Sequence, residues 1–264
     1  MSGATCLPFR ILLSGPIDAD ALRVRWTRPP SLPLAWLQTV DRMWQRELAR
    51  RTDSSLFDGT VAALQDWTRE GPTVRLVLCP IPYRVVWYTY IAAQDPRLPL
   101  PGVIPRALGV SAVVEWEGFL LLMRRSRWVA EFPGRLDVFG GHIERDVRGR
   151  WLSPLESVKR EVSEELGLEP STISVLSVLG LLRVAGTQKP ELVFSARLRG
   201  VRREDWLRRA TDEVEETVLV PADRAQEFLL QNASELTPSG WGSLQLWLEL
   251  RSPPQELGEG SDGR

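Results

Sequence analysis

Three carboxylates offer the most specific chemistry in this chain. In Arg160-Glu161-Val162-Ser163-Glu164-Glu165-Leu166-Gly167-Leu168 the glutamates stand at i, i+3 and i+4, and on an α-helix that spacing places them on one face. Like charges on neighbouring turns repel. A divalent cation removes the repulsion, because carboxylate oxygens are the ligands that Mg²⁺ and Mn²⁺ prefer. Arg160 precedes Glu164 by one helical turn and can orient it. A solvated acidic face would show the same run, so its neighbours decide the reading. Upstream lies Gly140-Gly141-His142-Ile143-Glu144. A strand, a glycine loop and an acidic helix in that order make a loop-plus-helix metal site, with Gly141 free to offer a carbonyl or a close approach.

Composition excludes the competing chemistries. The 264 residues contain one histidine, His142, and two cysteines, Cys6 and Cys79. They cannot supply a zinc site of several His or of four Cys/His ligands, and a Ser-His-Asp triad would have to be built on His142. Basic and acidic side chains number 33 and 34, for a net charge of −1, whereas a general nucleic-acid binder carries a basic excess. Only Lys159 and Lys189 are lysines, so the basic side chains are nearly all arginine. Base composition accounts for most of that bias; guanidinium also clamps phosphate bidentately. No apolar run reaches the ~18 residues of a membrane span. No basic region followed by an apolar core and a small-residue cleavage site opens the chain. With two cysteines that suit a reducing compartment, the cytoplasm is the expected location.

The elements that must position these groups can be read from periodicity. Leu7–Leu13 and Leu22–Trp26, separated by Ser14-Gly15-Pro16, predict a small β ribbon. Leu34–Arg50 has helical apolar spacing, and Thr73–Cys79 reads as a strand. Residues 95–105 hold four prolines and form a crossing segment without regular structure. Beyond them, Val110–Trp116 and Phe119–Met123 flank Glu117-Gly118 as a hairpin. Leu136–Phe139 is a short strand entering Gly140-Gly141. Ser153 to Leu166 carries an N-cap serine, Pro154, a capping-box Glu156 and a Gly167 stop. Ile173–Val184, Leu192–Leu198 and Val218–Val220 read as strands, and Asp223–Leu230 and Trp241–Leu250 as closing helices. The expected organisation is α/β: an N-terminal β/α extension over 1–105, a core domain over 106–251 and a disordered tail over 252–264.

These residues resemble the Nudix family, whose signature is G-x5-E-x7-R-E-U-x-E-E-x-G-U with U a bulky aliphatic. Arg160, Glu161, Val162, Glu164, Glu165, Gly167 and Leu168 match its second half in full. The first half departs: about five residues around Arg145–Trp151 are inserted between Gly141 and the helix, and Leu152 stands where the signature has Glu. Glu144 matches a Glu often present in the glycine loop. The stretch 119–144, with Arg124-Arg125-Ser126-Arg127, Val129-Ala130-Glu131, Pro133-Gly134 and Gly140-Gly141-His142, is similar to the branch that cleaves UDP-glucose and UDP-galactose to UMP and a sugar 1-phosphate. Weaker likeness reaches Trp44-Gln45, Leu56-Phe57-Asp58 and Tyr83-Arg84. Phe139 replaces that branch's Pro.

The resemblance implies an α/β/α sandwich with a mixed central sheet and a hydrolase of phosphorus anhydrides using Mg²⁺ or Mn²⁺. Glu161, Glu164, Glu165 and Gly141 would hold the metal, with Arg160 orienting a helix carboxylate. The general base is either Glu164 or a glutamate of the loop Thr211–Thr217, where Glu215 fits the branch best. Arg124 and Arg125 are either diphosphate clamps or surface arginines. Glu191, Tyr83 and His142 are further substrate-binding candidates, His142 with an ordinary pKa near neutrality. The expected partner is a small nucleoside diphosphate, with neither nucleic acid nor membrane, on a monomer or homodimer. Other readings are a hydrolase of ADP-ribose, a dinucleoside polyphosphate or coenzyme A, a non-catalytic nucleotide-sugar module, and an interaction protein built on the tryptophan-rich N-terminal part.

Overall fold

Leucine- and valine-rich strands buried on both faces organise the molecule. The computed structural model describes residues 7–50, 58–207 and 213–251; Cys6, Leu56-Phe57, Thr211-Asp212 and the 252–264 tail lie outside them. The N-terminal part runs β1 (Phe9–Ile17), β2 (Leu22–Trp26), α1 (Leu34–Arg50), β3 (Thr60–Glu70), β4 (Thr73–Pro82) and α2 (Tyr83–Gln94). Then come β5 (Arg106–Ala107), β6 (Gly109–Trp116), β7 (Phe119–Arg125), β8 (Leu136–Asp137), β9 (Phe139–His142) and α3 (Pro154–Leu166). The chain closes with β10 (Ile173–Val184), β11 (Pro190–Leu198), α4 (Arg203–Leu207), β12 (Val214–Pro221), α5 (Ala225–Asn232) and α6 (Pro238–Arg251). Residues 95–105 form no regular element.

Eight strands make the larger sheet, in the order β1-β10-β11-β6-β7-β12, with β9 on β6 and β8 on β7. The β6–β11 pair is parallel and its neighbours are antiparallel, so the sheet is mixed. Side chains alternate across it. Leu121, Met123, Leu192 and Phe194 face one core with Val158, Val162 and Leu166 of α3. Leu120, Leu122 and Val193 face a second core with Leu229 of α5 and Leu244, Leu246 and Trp247 of α6. That is an α/β/α sandwich, as expected. The smaller sheet is ordered β2-β4-β3-β5. Its Val74, Leu76 and Leu78 belong to the same core as α3, while α1 and α2 pack together through Trp36, Val40, Trp44, Trp87 and Tyr88. No helix among the described residues is long and apolar enough to cross a membrane.

The expected β ribbon does not form. Instead, β1 pairs antiparallel with β10 in the larger sheet, and β2 runs parallel to β4 in the smaller one. Ser14-Gly15-Pro16 lies inside β1, at a register shift between Ser14 and Ile17. A Cβ on Gly15 would meet the Val178 carbonyl oxygen at 2.3 Å, so this glycine marks a close backbone approach. Proline is tolerated because β1 is an edge strand with a bulge. The predicted strand Leu136–Phe139 divides into β8 and β9, which pair with different partners.

Helix α3 begins as its sequence dictates. Ser153 accepts the Glu156 N–H at 3.1 Å and Glu156 accepts the Ser153 N–H at 2.7 Å, a complete capping box. Gly167 ends the helix at φ 63°. Ser153→Ala should lower the unfolding free energy by about 1 kcal/mol in urea denaturation. The Glu156 carboxyl is held at about 2, below its ordinary 4.5, by Arg150 beside it and by the Ser153 N–H. A depressed carboxylate stabilises above its unfolded pKa and loses that contribution as the pH falls towards the folded value. The stability gap between wild type and Glu156→Gln should therefore close between pH 4.5 and 2.

Candidate active site

The carboxylate helix crosses strand β9, where Gly141 lets Glu161 come close. Gly140 donates its N–H to Glu165 Oε2 at 2.8 Å. A Cβ on Gly141 would stand 2.4 Å from Glu161 Oε2, and one on Gly140 would stand 2.2 Å from the Val110 carbonyl oxygen. No residue with a side chain fits either place without movement. Glu165 is 5 % exposed and has no cationic partner among the described residues. Burial raises the Glu161 pKa to about 7 and the Glu165 pKa well above its ordinary value; Glu161 raises that of Glu165 further. The ionised forms need a cation.

The three glutamates do not present one common face. Glu161 and Glu165, one turn apart, point inward against the glycines, while the Glu164 side chain is 63 % exposed. Among the described residues no three His, Cys, Asp or Glu side chains converge as a ready-made ligand cluster. The donors that are present, two buried carboxylates beside a glycine backbone with a third carboxylate at the rim, still match the chemistry of a hard divalent cation. Arg160 joins them. It donates to Glu161 Oε1 at 2.7 Å, reaches Glu144 Oε2 at 3.3 Å and lies 3.8 Å from Glu164 Oε1.

The inserted residues form a small hairpin. Arg145 and Trp151 bridge antiparallel, and Asp146 Oδ1 accepts the N–H groups of Arg148 and Arg150 at 3.0 and 2.9 Å. Arg150 then clamps Glu156 through two hydrogen bonds of 3.1 and 3.0 Å.

Beside the glycines a second group of charges forms a largely buried cluster. Lys189 Nζ lies 3.6 Å from Glu131 and 3.9 Å from Glu191. Arg125 donates to the Glu131 carbonyl at 3.0 Å and stands 3.6 Å from Asp137. Burial raises Glu191 to about 7. Burial also pushes Glu131 upward, yet Lys189, His142 and Arg125 hold it below its ordinary value. Tyr83 packs edge-on against His142, with ring centroids 6.0 Å apart, and burial raises its hydroxyl to about 12. Burial and Lys189 lower His142 to about 3, and its Nε2 is sealed without a partner. At neutral pH this imidazole is uncharged and a poor general base.

Of the residues singled out by sequence, Tyr83, His142, Glu191 and Arg125 thus meet in one cluster. Arg124 points elsewhere: it bonds Glu216 at 2.7 Å and the Gly134 carbonyl at 3.1 Å, with Glu235 at 3.7 Å. Glu215 stands 3.9 Å from Arg127 at the surface. Glu213 is the loop carboxylate whose charge acts on Glu165 and Tyr83, and a register shift between Val214 and Glu216 separates it from the regular strand. Periodicity gave no sign of Glu213. Lys189 and Glu131 were visible only as one of two lysines and as part of a matched motif.

Residues 105–239 match the NUDIX domain. A human protein named uridine diphosphate glucose pyrophosphatase NUDT22 is 30 % identical over 176 residues, which cover 58 % of this chain and 58 % of the human one. The mouse protein of the same name is 30 % identical over 58 % of this chain and 56 % of its own length. The match thus spans less than two thirds of either relative. Among solved structures, DR0079 from Deinococcus radiodurans has 16 % identity and a TM-score of 0.43, covering 72 % of this chain and 98 % of that one. The MutT protein from Methanosarcina mazei has 23 % identity and a TM-score of 0.43, covering 56 % and 96 %. With more than half of its residues matched, the carboxylate helix and glycine strand included, the chain belongs to the NUDIX domain family.

Proposed function

We propose that this chain is a Mg²⁺- or Mn²⁺-dependent pyrophosphatase that cleaves a nucleoside diphosphate sugar, UDP-glucose or UDP-galactose, to UMP and sugar 1-phosphate. The observation that carries the reading is the burial of Glu161 and Glu165 against Gly140-Gly141, with Arg160 tying Glu161 to Glu144. The names of the human and mouse relatives support the substrate class.

Glu161, Glu164, Glu165 and the Gly141 backbone would hold the cation, which supplies charge neutralisation at the diphosphate and Lewis acidity towards water. The chain's own residues do the remaining work. Arg160 holds Glu161 by a charge-assisted bond and keeps Glu164 within its field. Glu164, open at the rim, takes the proton of the attacking water as the new P–O bond forms and the bridging P–O bond breaks. Arg125 would meet the charge of the diphosphate, and Tyr83, His142, Glu131, Lys189 and Glu191 are the neighbouring groups that would contact the nucleoside or the sugar. A neutral His142 can donate or accept one hydrogen bond without adding charge.

Incubation with UDP-glucose and Mg²⁺ should yield UMP and glucose 1-phosphate in equal amounts, and a chelator should abolish both. Turnover of ADP-ribose, a dinucleoside polyphosphate or coenzyme A without turnover of UDP-glucose would reject the substrate class. Glu164→Gln should remove hydrolysis while leaving the melting temperature unchanged, because that side chain is mostly exposed. Glu213→Gln and Glu215→Gln separate the loop carboxylates. If the loop assists the proton transfer, the first loses ~10²-fold in rate and the second stays near wild type; the opposite order returns the role to Glu215.

A further inference from the structure

The hairpin inserted between the glycines and α3 leans on the smaller sheet at one aromatic contact. Trp151 stacks on Trp26 of β2, with centroids 4.3 Å apart and planes 25° apart. Arg145 covers Trp151, its guanidinium carbon 4.7 Å from the ring centroid. Both tryptophans also pack on the core that holds Val158 and Val162 of α3.

From this stack two connections lead to the carboxylates. Through Arg150, the hairpin grips Glu156 in the first turn of α3. At its other end Leu152 donates its N–H to the Glu144 carbonyl at 3.0 Å, and the Glu144 carboxylate meets Arg160 at 3.3 Å. Leu152 has no charge to offer Arg160. Glu144 supplies it, from the strand side of the hairpin.

We propose that Trp26 and Trp151 are positioning residues of the active site: the smaller sheet braces the inserted hairpin, and the hairpin sets Glu144 on Arg160 and so fixes the carboxylate helix. The N-terminal part is then a working component of the catalytic device. A free loop carrying Val147, Arg148 and Gly149, all exposed, would leave Glu144 and the first turn of α3 with only their local bonds. The stack supplies rigid area at little entropic loss.

The proposal rests on α3 carrying the working carboxylates, so its test includes one readout independent of turnover. Trp26→Ala and Trp151→Ala should each lower kcat about tenfold with KM for UDP-glucose unchanged, the factor that an aromatic pair can supply. Each should weaken Mn²⁺ binding, followed by isothermal titration, by a similar factor. Because the two rings act through one contact, the double variant should lose no more than either single one. Trp26→Phe, which keeps a stacking ring, should recover most of both quantities. Amide hydrogen exchange at Arg148, Arg150 and Leu152 should accelerate in the alanine variants, whatever the substrate proves to be. Trp67→Ala, on the same small sheet, controls for lost stability and should leave hairpin exchange and kcat near wild type. Unchanged hairpin exchange and Mn²⁺ affinity in folded Trp26→Ala would overturn the proposal. A wild-type protein inactive on UDP-glucose but showing the exchange effect would instead count against the substrate alone.

Discussion

The close crossing of α3 over β9 is the constraint on which the rest of the site depends. Two carboxylates one helical turn apart, Glu165 buried and Glu161 partly so, lie against a strand whose Gly141 has no side chain to hold Glu161 off. Burying an uncompensated carboxylate costs several kcal/mol. Glu161 recovers part of that through Arg160, and Glu165 recovers part through one backbone N–H. The helix is kept in place by a different source of energy. Val158, Val162 and Leu166 are fully buried on its apolar stripe, each contributing about 1.5–3 kcal/mol, and both ends are capped. The glycines, the stripe and the caps therefore form one device. They hold acids where acids alone would not stay.

Much of that device is written in local sequence. The capping box, the Gly167 stop and the hairpin turn at Glu117-Gly118 involve partners within a few residues, and the structure has each of them. The arrangement of carboxylates is less local. Spacing alone put Glu161, Glu164 and Glu165 on one face, whereas the packing of α3 divides them. Glu161 and Glu165 meet β9, and Glu164 faces solvent. Arg124 and Arg125 show the same effect on a strand: adjacent residues point to opposite faces, one to Glu216 and the other to the Glu131 carbonyl and Asp137.

What could not be read was long-range pairing. β1 and β2 lie next to each other in sequence, yet belong to different sheets, because the partner of each is far away in the chain. The helix α2, rich in β-branched and aromatic residues, has a strand's composition and becomes helical with six of its twelve residues buried. Glu131, Lys189 and Glu191 come from a loop and from the start of β11. Their convergence depends on β11 lying parallel to β6, a crossover that no short motif announces.

The charges that converge here explain why a cation belongs to the proposed reaction. The carboxylates gathered around the carboxylate helix and the neighbouring cluster are Glu131, Asp137, Glu144, Glu161, Glu164, Glu165, Glu191 and Glu213, against Arg125, Arg160 and Lys189. All three cations are already engaged, Arg125 by Asp137 at 3.6 Å. Arg160 serves Glu161 and Glu144, and Lys189 stands between Glu131 and Glu191. His142 adds nothing, because its burial keeps it neutral. The three cations cannot offset the field of so many acids over an anionic substrate. In the proposed reaction a divalent cation would cancel part of the charge that repels the substrate.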